Sequence, residues 1–121
     1  MNSEKKAKLL EVYKKYKGLM DFLSTHYKLS INDLAILEVI EENCSKQNML
    51  MQPFLKIATK ELDLSRTKVL ASIRKLINQD RVSKVRSEED ERKVHLFMDE
   101  GNAQRYRDLL DEVEAFISSI V

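Results

Sequence analysis

Between Ser65 and Arg86 the charged side chains are almost all cationic: Arg66, Lys68, Arg74, Lys75, Arg81, Lys84 and Arg86 stand against Asp80 alone. The 121-residue chain carries a net charge of only +1, so this block is a local excess. Such an excess suggests a polyanion partner, and a solvated helix face is the competing reading. The residues between the charges say which chemistry is on offer. Val69, Leu70, Ile73, Leu76 and Ile77 recur at helical steps behind Ser65, a favoured N-cap type. Opposite that stripe the expected face carries Thr67, Lys68, Ala71, Ser72, Lys75 and Asn78. These are short or flexible side chains with hydroxyl, amide and ammonium donors. A major groove accepts a helix of this kind, with cations on guanine edges and phosphates and with hydroxyls and amides on phosphates or adenine. Ser65, Arg66 and Thr67 open the helix, where backbone N–H groups without helical partners suit a phosphate.

Other chemistries lack their residues. His26 and His95 lie far apart and Cys44 is the one cysteine, so no metal-ligand spacing exists. Gly18 and Gly101 are the only glycines and cannot build a phosphate-cradling loop. No Ser, His and Asp arrangement can be argued. The expectation is a protein that is not an enzyme and needs neither metal nor cofactor. A single cysteine excludes a disulfide scaffold, and no apolar run approaches the roughly 20 residues that span a bilayer. The expected place is therefore the cytoplasm, with no membrane partner. Cys44 follows an acidic stretch, Glu38, Glu41 and Glu42, which would raise its thiol pKa and marks it as a small structural residue.

The elements needed to position the cationic segment follow from periodicity. Residues 4–27 read as a long helix with Leu9, Val12, Tyr13, Tyr16, Met20, Leu23 and Tyr27 on one stripe. Ser30 offers a cap, with Asp33 in a capping-box-like position, for a helix from Ile31 to about Asn43. Met49, Leu50 and Met51 suit a very short strand. Pro53 suits the first turn of a helix that ends near Leu62. After Asp63 and Leu64, the capped helix runs from Arg66 to about Gln79. Strands at Arg81–Arg86 and Lys93–Met98 flank a polar loop at 87–91. Asp99 caps a last helix, about 100–119, striped by Tyr106, Leu109, Leu110, Val113, Phe116, Ile117 and Ile120. Two helices joined by a short turn and followed by a hairpin make a winged helix-turn-helix. The expected fold is mostly α with a small β-hairpin, as one domain over 1–121. Residues 30–98 form its core, and 1–28 and 100–121 are dimerisation helices.

The hairpin tip poses an electrostatic problem. Arg86 and Arg92 flank Ser87-Glu88-Glu89-Asp90-Glu91. An arginine on a wing can enter a minor groove, where negative potential is focused. Four consecutive acidic residues would repel phosphates unless turned away or paired. The expected resolution is that Asp90 accepts hydrogen bonds from a nearby arginine or from loop N–H groups and so shapes the turn.

These residues carry a resemblance. Leu64-Ser65-Arg66, Ile73-Arg74-Lys75-Leu76, Lys84-Val85-Arg86 and Asp90-Glu91-Arg92-Lys93-Val94, followed by Asp99-Glu100-Gly101, resemble the MarR superfamily. Within it the chain is most similar to the SarA-type staphylococcal accessory regulators. The resemblance implies a winged-helix dimer that binds double-stranded, AT-rich promoter DNA and regulates transcription. It implies that Arg86, Asp90, Glu91 and Arg92 matter for binding or wing shape, and that the terminal helices build the homodimer. Several such regulators carry a redox cysteine in the first helix. This chain has none there, which speaks against thiol sensing. A winged-helix adaptor that docks a protein instead of DNA is the alternative, favoured by the acidic tip.

Overall fold

A computed structural model of the chain describes residues 3–90 and 92–120. The elements are α1 (Ser3–Tyr27), α2 (Ile31–Cys44), β1 (Met49–Leu50), α3 (Met51–Leu62), α4 (Arg66–Asn78), β2 (Ser83–Arg86), β3 (Val94–Phe97) and α5 (Glu100–Ser119). The chain divides into two compact units, one of residues up to Ile31 with Asp108 onward, the other Asn32–Arg107.

The Asn32–Arg107 unit holds the helix-turn-helix and the hairpin. Its core is closed by Ile36, Leu37, Val39 and Ile40 of α2, Phe54, Leu55 and Ala58 of α3, and Val69, Ile73 and Leu76 of α4, all nearly solvent-free. Leu96 and Met98 add the floor under the sheet. The sheet is antiparallel in the order β1-β3-β2, with Met49 opposite Leu96 and Lys84 opposite Leu96 on the other side. As the central strand, β3 is covered more fully than an alternating edge strand. His95 and Phe97 are half-buried, and only Leu96 among its residues is fully so.

With two glycines in the chain, helix ends that need a left-handed residue use others. Asp63 closes α3 at φ 52° and Asp80 follows α4 at φ 57°; Asp tolerates this region better than most side chains. After α4 the Arg81 N–H bonds the Leu76 carbonyl at 2.9 Å and the Asp80 N–H bonds the Ile77 carbonyl at 3.0 Å, the Schellman pattern. That turn uses Arg81 and Val82, so the strand expected from Arg81 starts only at Ser83. Lys93 likewise stays outside the second strand, which starts at Val94.

In the other unit, α1 ends with Lys28 at φ 55°. The Lys28 and Leu29 N–H groups return to the carbonyls of Ser24 and Leu23. The Phe22 and Phe116 rings stack with centroids 4.4 Å apart. Leu23 and Leu29 are buried, while Leu9, Leu10, Val12, Tyr13, Tyr16 and Met20 are exposed along α1.

Candidate nucleic-acid interface

Helix α4 starts as its sequence requires. The Ser65 hydroxyl accepts the Lys68 N–H at 3.2 Å, and the Ser65 carbonyl accepts the Val69 N–H at 3.1 Å. This leaves the first N–H groups of the helix directed outward, the arrangement that binds anions. Ser65, Arg66, Thr67 and Lys68 are all exposed around it.

The exposed face differs from the expected one at Ser72, which is buried, with 7 % of its surface accessible. Ser72 lies three residues after Val69 and four before Leu76, so the 3.6-residue period sets it on the apolar stripe. A hydroxyl there is not presented to a groove, and its assignment as a DNA contact is corrected. The centre of the exposed face is Thr67, Ala71, Arg74 and Asn78, spaced by four, three and four residues. Arg74, not among the residues expected on this face, stands at its centre. The 3.6-residue period that sets the inner row also puts Arg74 on the outer one.

The cationic block is also less uniform than its count. Lys75 Nζ lies 2.7 Å from Asp33 Oδ2, and the Asp33 side chain is only 2 % exposed. The carboxylate in the first turn of α2 thus receives a cation from α4. Arg81 is buried, its Nε donating to Gln79 Oε1 at 2.8 Å. Burial first, and the Arg105 charge second, lower its pKa from the ordinary guanidinium value. Arg105 donates to the carbonyls of Gln79 and Asp80, cations placed where the helix dipole is negative. Arg81 therefore supports the end of α4 and adds little to a surface patch. Arg66, Lys68, Arg74 and, beside its ion pair, Lys75 on α4, and Lys84, Arg86, Arg92 and Lys93 on the hairpin, remain exposed.

At the tip, Asp90 accepts the Arg92 backbone N–H at 3.0 Å, Arg92 Nε at 3.2 Å and Nη2 at 3.4 Å. The Asp90 carbonyl takes the Lys93 N–H, and the Lys93 carbonyl takes the Ser87 N–H. The Arg92 side chain and then its backbone N–H hold the Asp90 carboxyl below the usual range. Glu88 and Glu89 face solvent. Glu91, expected to help shape the wing, lies outside the described residues.

Further back, the Tyr106 hydroxyl donates to Glu38 Oε2. Burial, then that carboxylate, raises the phenol pKa. The bond ties the first half of α5 to α2. Cys44 is buried, and desolvation alone pushes its thiol to about 11; the adjacent acidic stretch is not the cause. Among the described residues no cluster of His, Cys, Asp and Glu could hold a metal.

A family model described as transcriptional regulator SarA/Rot matches residues 18–112. The HTH-type transcriptional regulator SarX of Staphylococcus aureus (strain USA300) is 48% identical over 118 residues, 98% of this chain and 99% of the relative. Two solved structures share the fold. Streptococcus pneumoniae FabT, in complex with DNA, matches with a TM-score of 0.64 at 20% identity, over 97% of this chain and 79% of that one. AbsC, a MarR family transcriptional regulator from Streptomyces coelicolor, matches with a TM-score of 0.65 at 18% identity, over 95% of this chain and 74% of that one.

Proposed function

The chain belongs to the SarA/Rot family of transcriptional regulators, and on that premise we propose that it is a homodimer that binds double-stranded promoter DNA. Each subunit sets α4 in a major groove and the hairpin tip, residues 86–92, on the adjacent minor groove. Two such helices reach half-sites about one helical turn apart, roughly 34 Å. The target is AT-rich, where a narrow minor groove favours an inserted arginine. The protein works in the cytoplasm, as one winged-helix domain whose terminal helices dimerise, with no enzymatic activity. No helix among the described residues is long and apolar enough to cross a membrane.

The observation that carries this reading is the exposed start and outer face of α4, in the same unit as a hairpin whose strands and flanks present exposed cations. Ser65, Arg66, Thr67 and Lys68 surround the capped N-terminus, and Lys84, Arg86 and Arg92 line the hairpin. Phosphate contacts supply affinity by releasing counterions, so binding must weaken linearly in log–log salt titration. A gel-shift series on AT-rich and mixed duplexes across salt tests this. Lys68→Ala is expected to weaken every duplex similarly and to flatten the slope by about one unit per subunit. An unchanged slope would remove the start of α4 from the DNA backbone. A wild-type chain that shifts no duplex at low salt would favour a protein-docking adaptor instead.

A further inference from the structure

Arg74 and Lys75 are adjacent cations on α4, and they meet different surroundings. Lys75 reaches across to α2, where its ammonium sits 2.7 Å from a carboxylate that solvent barely touches. Taking the cation away from a buried carboxylate is strongly disfavoured, so the pair is held together even though 46 % of the Lys75 side chain is exposed. Arg74 leaves the helix on the open side. It falls three residues after Ala71, seven after Thr67 and four before Asn78, and all four side chains are exposed. Among the described residues no hydrogen bond or ion pair occupies its guanidinium. Ala71, one turn earlier on the same row, presents only a methyl, which lets the helix approach a groove floor closely beside it. A planar guanidinium so placed fits the two acceptors on a guanine edge. Lysine offers a point charge with no fork.

We propose that these two cations have divided roles: Arg74 selects a G·C pair in each half-site, and Lys75, held by Asp33, positions α4 without contacting phosphate. This rests on the DNA-binding reading above. It also replaces the simple expectation that Lys75 is a backbone contact like Lys68. Asp33 becomes a positioning residue, acting on DNA only through the orientation of α4.

The test starts by selecting a preferred site with the full chain from a library of randomised duplexes. Affinities are then measured on that site and on its single-pair variants, across salt. Arg74→Ala is expected to erase a discrimination of about 5- to 150-fold at one G·C pair per half-site, with the salt slope unchanged. Arg74→Lys keeps the charge and is expected not to restore it. Lys75→Met is expected to lower the melting temperature and leave both the salt slope and the pattern of preferred bases as they were. Where Lys75→Met fails to fold because Asp33 loses its cation, the double variant Asp33→Asn with Lys75→Met removes both charges and reads the same slope. The inference is overturned by three results: a slope about one unit per subunit flatter in either Lys75 variant, a flatter slope with intact discrimination in Arg74→Ala, or a selected site with no G·C pair sensitive to Arg74. A wild-type chain that selects no site overturns the DNA reading and this inference together, so the two failures are distinguishable.

Discussion

Helices α1 and α4 both carry an apolar row at three- and four-residue steps beside charged residues. In α4 the row is covered within the chain: Val69, Ile73 and Leu76 are at most 1 % exposed. In α1 the row stays open from Leu9 to Met20, between 43 % for Met20 and 66 % for Val12, and closes only at Leu23. Amphipathic periodicity announces that a face wants burial and says nothing of what buries it. The two helices therefore offer opposite faces to a partner. What α4 has left is polar and cationic, suited to a charged, hydrated surface. What α1 has left is Leu9, Val12, Tyr13, Tyr16 and Met20, an apolar and aromatic strip of the kind that marks a protein interface.

The largest effect should come from breaking the open row. Val12→Glu with Tyr16→Glu keeps good or tolerable helix formers in α1 and removes no buried contact within the chain. Light scattering should report a dimer for the parent and a monomer for the double variant. Duplex affinity should fall about 100-fold or more, because the second half-site no longer binds at high effective concentration. Helix content should persist. A double variant that remains dimeric would mean that this strip is not the interface, and the contrast between α1 and α4 would lose its functional meaning.

Breaking the covered row should destabilise the Asn32–Arg107 unit without touching the α1 strip. Leu76 is fully buried, and Leu76→Ala removes its methyls and leaves a cavity. Urea denaturation should show a loss of about 2–5 kcal/mol. A loss under about 1 kcal/mol would mean that α4 packs loosely and that its outer face is not rigidly aimed.

Much of this contrast was legible in the residue pattern, and the reasons for the misses are physical. Ser65, Pro53 and Asp99 announce helix starts by local chemistry, and the structure places all three in first turns or at caps. Ser72 was misplaced because its polarity was read before its position, although the period already put it beside Val69 and Leu76. The Lys75–Asp33 pair joins residues 42 apart. Only the packing of α4 against α2 creates it, and no local rule reports that. Arg81 counted as surface charge because nothing nearby signals burial; its place depends on the left-handed turn at Asp80. The hairpin tip was legible as a problem, four carboxylates beside two arginines. Its resolution was legible too: Asp90 accepts the Arg92 backbone N–H and guanidinium, an arginine and a loop N–H as expected.

Cys44 tests the covered side of the comparison with the smallest perturbation, since it reports how tightly the reading unit is closed. Burial raises its thiol to about 11, against an unfolded thiol near 8.5. The fold thus favours the neutral thiol. Its contribution is complete below about pH 8.5, where both states are protonated. Above that the unfolded chain loses its proton first, so stability falls as pH rises and levels off once the native thiol also ionises. The quantity to measure is the difference from Cys44→Ala, whose stability should lack this component. At pH 8 a thiol reagent should label the native chain far more slowly than the urea-unfolded chain. Glu41→Gln with Glu42→Gln should leave that rate unchanged, because burial and not the neighbouring carboxylates sets the thiol. Rapid native labelling would show that the unit opens readily around Cys44, and α4 would then rest on a looser support than the buried row of Val69, Ile73 and Leu76 implies.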